Sequence, residues 1–279
     1  MGTLSEQEID ARIGQLPPLS AKVVELMRLL ETTAVDYGAM ERAAVHEPGL
    51  VQRVLRLANS SFYGVSGRIG TFREACLVLG SRSLRQVVMA IAVMDRLSAG
   101  HTIEQLRMLW QHVLAVAAVA RYLAPMAHVD PEHAFTAGLL HDIGKLAMTA
   151  YFPAEYAAVQ QTSLRDGVPR IQIEQDIIGM DHGALGGKLA RRWRLPETIA
   201  LVNEQHHRPT GDPVNPLIDL LHFADVLAHA LEFGLSEDEQ VPPLEPAVWQ
   251  RLGWDWHTVS ACLPALDRDA RAAGSLELS

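Results

Sequence analysis

Cysteine is nearly absent: Cys76 and Cys262 stand alone in 279 residues, far apart and in no recognisable spacing. That excludes a disulfide framework or a thiolate zinc site and fits a reducing cytoplasm. An excess of positive charge is missing too. The formal net charge of -9 argues against nucleic-acid binding by general electrostatic attraction, leaving room only for a local basic patch. Long apolar runs are lacking: the longest, Val87 to Met94, falls far short of the ~20 residues of a membrane span. The first residues, Met1 to Ile13, are polar and acidic and hold no signal-peptide core. Strand-type alternation is confined to Ile171-Gln172-Ile173, too short for a strand and assigned to a helix. Low-complexity tracts and solenoid periods are absent as well. These absences leave a cytoplasmic protein with neither a membrane nor a nucleic acid as its expected partner.

What is present is a run of amphipathic segments. With 48% hydrophobic and 20% charged residues, the composition is that of an ordinary globular chain. Leu16-Pro17-Pro18-Leu19 leads to Ser20, an N-cap residue for a helix with Val23, Leu26, Met27 and Leu30 on its apolar stripe. Asp36 caps a second helix that ends near His46, since Pro48 disfavours helical geometry at Glu47. A third runs from Gly49 to Asn59-Ser60-Ser61, with Asn59 as a C-terminal cap. Thr71-Phe72-Arg73-Glu74 has capping-box spacing for a fourth, closed by Gly80. Ser81 opens a longer one, and short polar joints between such helices make a bundle. The fold class is all-α.

The division expected is a leader over 1–15, an N-terminal helical bundle over 16–100, a second helical domain over 101–235, and a loop with short helices over 236–279. In the second part, histidines recur inside apolar helices. His112 lies on a helix from Ile103 to Leu123, and Pro131 begins a helix holding His141 and Asp142. After a loop rich in Pro, Gln and Gly, Asp181 caps a helix with His182 in its first turn. The helix from Leu195-Pro196 ends at His206-His207, and a last long one from Leu217 carries His222 and Asp225. Two modest helices around Trp249 and Leu263 follow, then a tail from Ala272 that frays.

Burying imidazoles and carboxylates among leucines is costly unless they are paired or coordinated. His112, His141, Asp142, His182, His206, His207 and Asp225 therefore form a candidate ligand set for one or two divalent cations such as iron, manganese, zinc or nickel. Two such cations would activate water and hold a phosphoryl group, with Lys145 as a phosphate-facing point charge. The competing possibility is a satisfied polar network without metal.

The order of these residues resembles the HD superfamily of metal-dependent phosphohydrolases. The resemblance implies that His112, His141, Asp142, His182, His206 and Asp225 are metal ligands, Lys145 the HDxxK lysine, and His207 the second member of a His-His pair. The HD-GYP branch, which acts on cyclic dinucleotides, adds a glutamate and an Asp-Gly-x-Gly-Tyr-Pro loop. Here the chain continues Arg208-Pro209-Thr210-Gly211-Asp212, and Met108 stands where some relatives place a glutamate. The first half, Leu16-Pro17-Pro18-Leu19, His46-Glu47-Pro48-Gly49-Leu50 and Leu57-Ala58-Asn59-Ser60-Ser61-Phe62-Tyr63, resembles the HDOD domain, the HD-related output domain of bacterial signalling proteins. What this implies is an N-terminal helical bundle followed by an HD-superfamily-like helical domain, acting as a regulatory module on signalling proteins. The alternative is a metal-dependent phosphohydrolase or phosphodiesterase acting on a nucleotide or cyclic dinucleotide. His46 reads as a surface residue, Trp193 as core packing, and Arg82, Arg85, Arg191, Arg192 and Arg194 as solvated helix faces.

Overall fold

Ser5 accepts a hydrogen bond from the Glu8 backbone while the Glu8 carboxylate returns to the Ser5 amide, and this capping box starts α1 (Glu6–Gly14). The stretch expected as a leader is therefore a helix, with Ile9 and Ile13 buried. The same logic repeats downstream in a computed structural model that describes residues 3–31, 36–60, 68–210, 213–234 and 240–274, without the side chains of 103–105. Ser20 caps α2 (Ala21–Leu29), Asp36 caps α3 (Tyr37–Ala44), and Pro48 occupies the first turn of α4 (Pro48–Ala58). Thr71 and Glu74 make the second capping box, at α5 (Phe72–Leu79). Gly80, at φ +79°, turns the chain into α6 (Ser81–Ser98).

The second half is built on α7 (Ile103–Leu123), buried along most of its length. It continues through α8 (Pro131–Leu140), α9 (Ile143–Tyr151), α10 (Pro153–Asp166), α11 (Arg170–Ile177), α12 (His182–Arg192), α13 (Glu197–Gln205) and α14 (Pro216–Ala230). It ends in α15 (Pro246–Leu252) and α16 (Trp256–Gly274). The fold is all-α, and the described residues contain no strand. α8, α14 and α16 pack along α7, α9 and α13 flank α12, and α6 lies against both α8 and α9, so the two halves share a continuous core.

Three expectations give way here. His141 and Asp142 do not sit inside one helix: α8 ends at Leu140, and Asp142, at φ −112° and ψ 24°, is the N-cap of α9. The break redirects α9 against α12, where Gly144 meets the backbone of His182 so closely that a Cβ would lie 1.8 Å from its carbonyl oxygen. The loop expected before Asp181 is largely two helices, because Pro153 starts α10 and Gly167 closes it in the left-handed conformation. Ile171-Gln172-Ile173 duly falls in α11. The last helix is long, nineteen residues, and carries Pro264 within it. Ser61, Phe62, Tyr63, Gly211, Asp212, residues 236–239 and the tail 275–279 lie outside the described residues.

α1 is tied to the second half. Lys188 bridges Glu6 and Asp10, Arg12 pairs with Glu155 at 2.9 Å, and Arg192 donates to the Gly14 carbonyl.

Candidate metal centre

A carbonyl or carboxylate oxygen can only accept, so a neutral imidazole nitrogen facing one must carry the proton. That rule fixes the tautomers here. His141 Nδ1 lies 2.7 Å from the Gly138 carbonyl, His206 Nδ1 2.8 Å from that of Asn203, and His112 Nδ1 3.3 Å from that of Phe233. His182 Nδ1 lies 2.6 Å from the buried Glu174 carboxylate, which also accepts from the His182 amide. Each ring thus turns an Nε2 lone pair toward the interior, as histidines held for a metal do.

The lone pairs converge on two carboxylates. Asp142 divides its oxygens: Oδ2 lies 3.3 Å from His141 Nε2 and 3.7 Å from His112 Nε2, while Oδ1 lies 3.4 Å from His182 Nε2 and 3.6 Å from His206 Nε2. Asp225, in the third turn of α14, places Oδ1 3.0 Å from His112 Nε2 and 3.7 Å from His141 Nε2. His207 Nε2 is 2.8 Å from His182 Nε2, a spacing at which two ring nitrogens share a proton or a cation. The seven residues singled out from the sequence are therefore gathered in one place. They fall into two donor sets that meet at Asp142: His112, His141 and Asp225 on one side, and His182, His206 and His207 on the other.

His112, His141 and His206 leave Nε2 buried without a hydrogen bond, as do both carboxylates at all four oxygens. These atoms stand at ion-pair distances from one another but outside hydrogen-bond geometry. An acceptor-rich core of this kind has the donors to hold cations. Mixed imidazole and carboxylate donors fit borderline divalent metals. Lys145 Nζ, 2.8 Å from Asp142 Oδ2, supplies one fixed positive charge beside the pair.

The protons follow the same electrostatics. Burial pushes the Asp142 carboxyl up, but His141, Lys145 and His182 hold it well below the usual carboxylate range. Asp225 is likewise held far down, against burial, by His229, His112 and His141. Burial also opposes charge on His141, yet Asp142 and Asp225 outweigh it and push its pKa up to about 10. His206 goes the other way, to about 3, through burial and the nearby His141. Burial lowers His112 and His207 as well. Of the rings at the two carboxylates, His141 and His229 are the ones pushed upward.

Several participants were not legible as such in the sequence. Glu174 stands out only once α11 brings it against His182. His229 lies buried one turn after Asp225, its Nδ1 2.9 Å from the Asp225 carbonyl and 3.1 Å from Oδ1. The spacing His222, Asp225, His229 on one helix was the available signal. Asn203 donates to the carbonyls of Leu140 and Ile199, which holds α13 against the end of α8. His222 is fully used: Nδ1 donates to the His206 carbonyl at 2.6 Å and Nε2 accepts from the Glu245 amide at 3.0 Å. A cavity of about 250 Å³ opens beside the cluster, with Lys145, His182, His207 and His229 in its walls. The other residues weighed lie where expected: His46 is exposed, Trp193 packs on the core, and Arg191 spans Glu197 and Glu204 on a solvated face.

A family model described as HDOD domain matches residues 16–209. An uncharacterized protein of Treponema pallidum (strain Nichols) is 25% identical over 235 residues, which is 83% of this chain and 45% of that protein. The chain thus spans less than half the length of that curated relative. A crystal structure from Shewanella amazonensis SB2B, provisionally named a phosphohydrolase, superposes with a TM-score of 0.76 at 27% identity, covering 97% of this chain and 98% of that one. An HDOD domain protein of unknown function from Geobacter sulfurreducens superposes at 0.80 and 24% identity over 98% and 97% of the two chains.

Proposed function

Because the chain belongs to the HDOD domain family, we propose that it is a bacterial signalling output module, working through contacts with signalling proteins, whose second half binds divalent cations around Asp142. The observation that carries the cation site is the divided carboxylate: each Asp142 oxygen faces its own pair of imidazoles. In this reading His112, His141, Asp142 and Asp225 hold one cation, and Asp142, His182, His206 and His207 hold a second. Iron, manganese, zinc and nickel all suit the donors. The N-terminal helices then serve as the surface read by partners, and the cluster as the part that keeps α7, α9, α12, α13 and α14 in one arrangement. Free Cys76 and Cys262, and the lack of any helix long and apolar enough to cross a membrane among the described residues, are consistent with a cytoplasmic site of action.

Elemental analysis of protein purified without chelators tests this reading. About two equivalents of metal per chain are expected, falling to none in Asp142→Ala with far-UV circular dichroism unchanged. Natively folded wild-type protein that carries no metal and takes up none would refute it.

A second reading, hydrolysis of a phosphate ester, is favoured by the cavity that opens on the cluster with Lys145 in its wall. Bound cations would supply an activated water and neutralise phosphoryl charge. Lys145 would hold the phosphoryl group's charge beside Asp142, and Glu174 would keep His182 in the Nδ1–H tautomer. Metal-dependent turnover of a phosphate ester, abolished in His141→Ala, separates this enzyme from a purely regulatory module.

A further inference from the structure

The N-terminal bundle is the basic part of an acidic chain. Residues 16–100 hold ten Lys and Arg against seven Asp and Glu, a net of +3 inside a total of -9, which leaves -12 on the rest. Six of the seven carboxylates are already engaged. Lys22, Arg53 and Arg85 take Glu25, Asp95 and Glu31 as ion-pair partners. Asp36 and Glu74 accept from backbone amides at helix starts, and Glu47 accepts from the Ser20 hydroxyl. Glu41, exposed on α3, is the remaining one. Arg42, Arg73 and Arg82, in contrast, have no ion-pair partner among the described residues. Arg73 is fixed all the same: its guanidinium carbon lies 5.0 Å from the centre of the Tyr37 ring, a contact that holds the charge without neutralising it.

The same helices expose apolar side chains. Leu77 and Val78 are consecutive on the solvent side of α5, 61% and 49% exposed, while Phe72, Ala75 and Cys76 bury its other face. α3 packs against α5 and adds Val45, 74% exposed. Scattered single apolar residues on a surface are ordinary. Here three fall on two contacting helices, and each stands three or four residues from an arginine without a carboxylate: Val45 from Arg42, Leu77 from Arg73, Val78 from Arg82. α6 begins at Gly80 with no side-chain cap, so its positive end follows directly on this pair.

We propose that the exposed side of α3 and α5 docks an acidic amphipathic helix of a signalling partner, with its apolar side chains on Leu77, Val78 and Val45 and its carboxylates on Arg42, Arg73 and Arg82. Charge and polarity have to match together. A nucleic acid would supply the anions, yet it would leave the apolar side chains without contacts and would meet -12 on the remainder of the chain. A basic segment would be repelled. A neutral apolar partner would desolvate three guanidiniums and leave them unpaired, which is costly. Arginine suits such a seat, since its stem packs on apolar surface while its head takes a carboxylate in a two-pronged bond. The proposal rests on the reading of the N-terminal helices as the surface read by partners and is independent of the cation site.

Fluorescence anisotropy of the full chain uses as probe a labelled helical peptide of about five turns, with leucines along one face and glutamates along the other. Versions with lysine for glutamate, or alanine for leucine, run beside it. The acidic leucine peptide is expected to bind, with both altered versions about tenfold weaker or more. Arg73→Glu/Arg82→Glu should weaken it about tenfold or more, and Leu77→Ser about fivefold or more. Arg165→Glu/Arg268→Glu, an equal change of charge on exposed sites of α10 and α16, should leave it unchanged. Should the first double variant fail to fold, Arg82→Glu alone, at an exposed side chain, carries the same test. Binding of the lysine peptide instead, lost in Leu77→Ser, overturns the acidic partner while leaving these helices as a docking surface. Failure of every peptide to bind, or equal weakening by the variants on α10 and α16, overturns the proposal. So does an occupant of another kind: anionic vesicles bound in place of the peptide, or self-association of the chain that Leu77→Ser abolishes in sedimentation.

Discussion

Gly144→Ala should remove the second cation set while leaving the first in place. Gly144 is where α9 meets α12, and an added Cβ would fall 1.8 Å from the His182 carbonyl oxygen and 2.7 Å from its carbonyl carbon. The nearer contact is about 1.6 Å short of the 3.4 Å at which ordinary van der Waals contact begins. Both partners are backbone, so no side chain can swing aside and the helices themselves must part. His182 rides on α12 and Asp142 caps α9, so most of that displacement is added to the present 3.4 Å between His182 Nε2 and Asp142 Oδ1. Coordination tolerates only about 0.2 Å of error in ligand distance. His112, His141 and Asp225 are mounted elsewhere, on α7, at the end of α8 and on α14, and are not pushed, so the first set keeps three of its four donors even where Asp142 shifts with α9. Overpacking of this kind costs about 1–3 kcal/mol, which for a chain of this size lowers the melting temperature by roughly 2–4 °C per kcal/mol. Metal analysis on the purified variant should give about one equivalent where the parent gives about two, alongside the lowered melting temperature. A variant with both cations bound and an unchanged melting temperature would refute the close contact and the placement of His182 derived from it.

Glu174→Gln should weaken the cation held by His182, His206 and His207 about 10–100-fold and spare the other. Competition with a chromophoric chelator measures both, and equal weakening of the two would count against Glu174 acting through His182. In chelated protein, His141 has its pKa pushed up to about 10 from an unfolded value near ~6.5. Its contribution to stability is therefore fully present below about pH 6.5 and lost as the pH rises toward about 10. Urea midpoints of chelated protein should fall across that window. In His141→Asn the fall should vanish, and a persistent slope in that variant would assign it to other groups.

Much of this was legible before any coordinates. Caps were the most readable signal: Ser20, Asp36, Thr71 with Glu74, and Asp181 each start a helix where their side chains say one should start, because capping is a local interaction. The ligand order was readable because imidazoles and carboxylates among leucines are expensive, and burial of His112, His141, Asp142 and Asp225 places them as that cost demands. What escaped depends on contacts between distant segments. The break at His141-Asp142 leaves no proline or glycine mark at the junction itself, since it arises from α9 turning onto α12. The stretch before Asp181 reads as a loop from its proline, glutamine and glycine content, yet proline at a first turn and glycine at a C-cap, as at Pro153 and Gly167, also bound a helix. Glu174 gained its meaning only when α11 brought it against His182, eight residues away.

The docking of α1 bears on how the molecule melts. Its bonds from Glu6 and Asp10 to Lys188 join positions 182 and 178 residues apart, closing the chain from α1 through α12 into one ring. Contacts of such long sequence separation slow folding, because the chain entropy is lost before they form. They also mean that neither half can open without breaking the seam. The ion pairs there are partly exposed, and charges in that setting weaken as ionic strength rises. Ile9 and Ile13 are buried and do not. Cooperativity between the halves therefore has one part that salt can screen and one that it cannot.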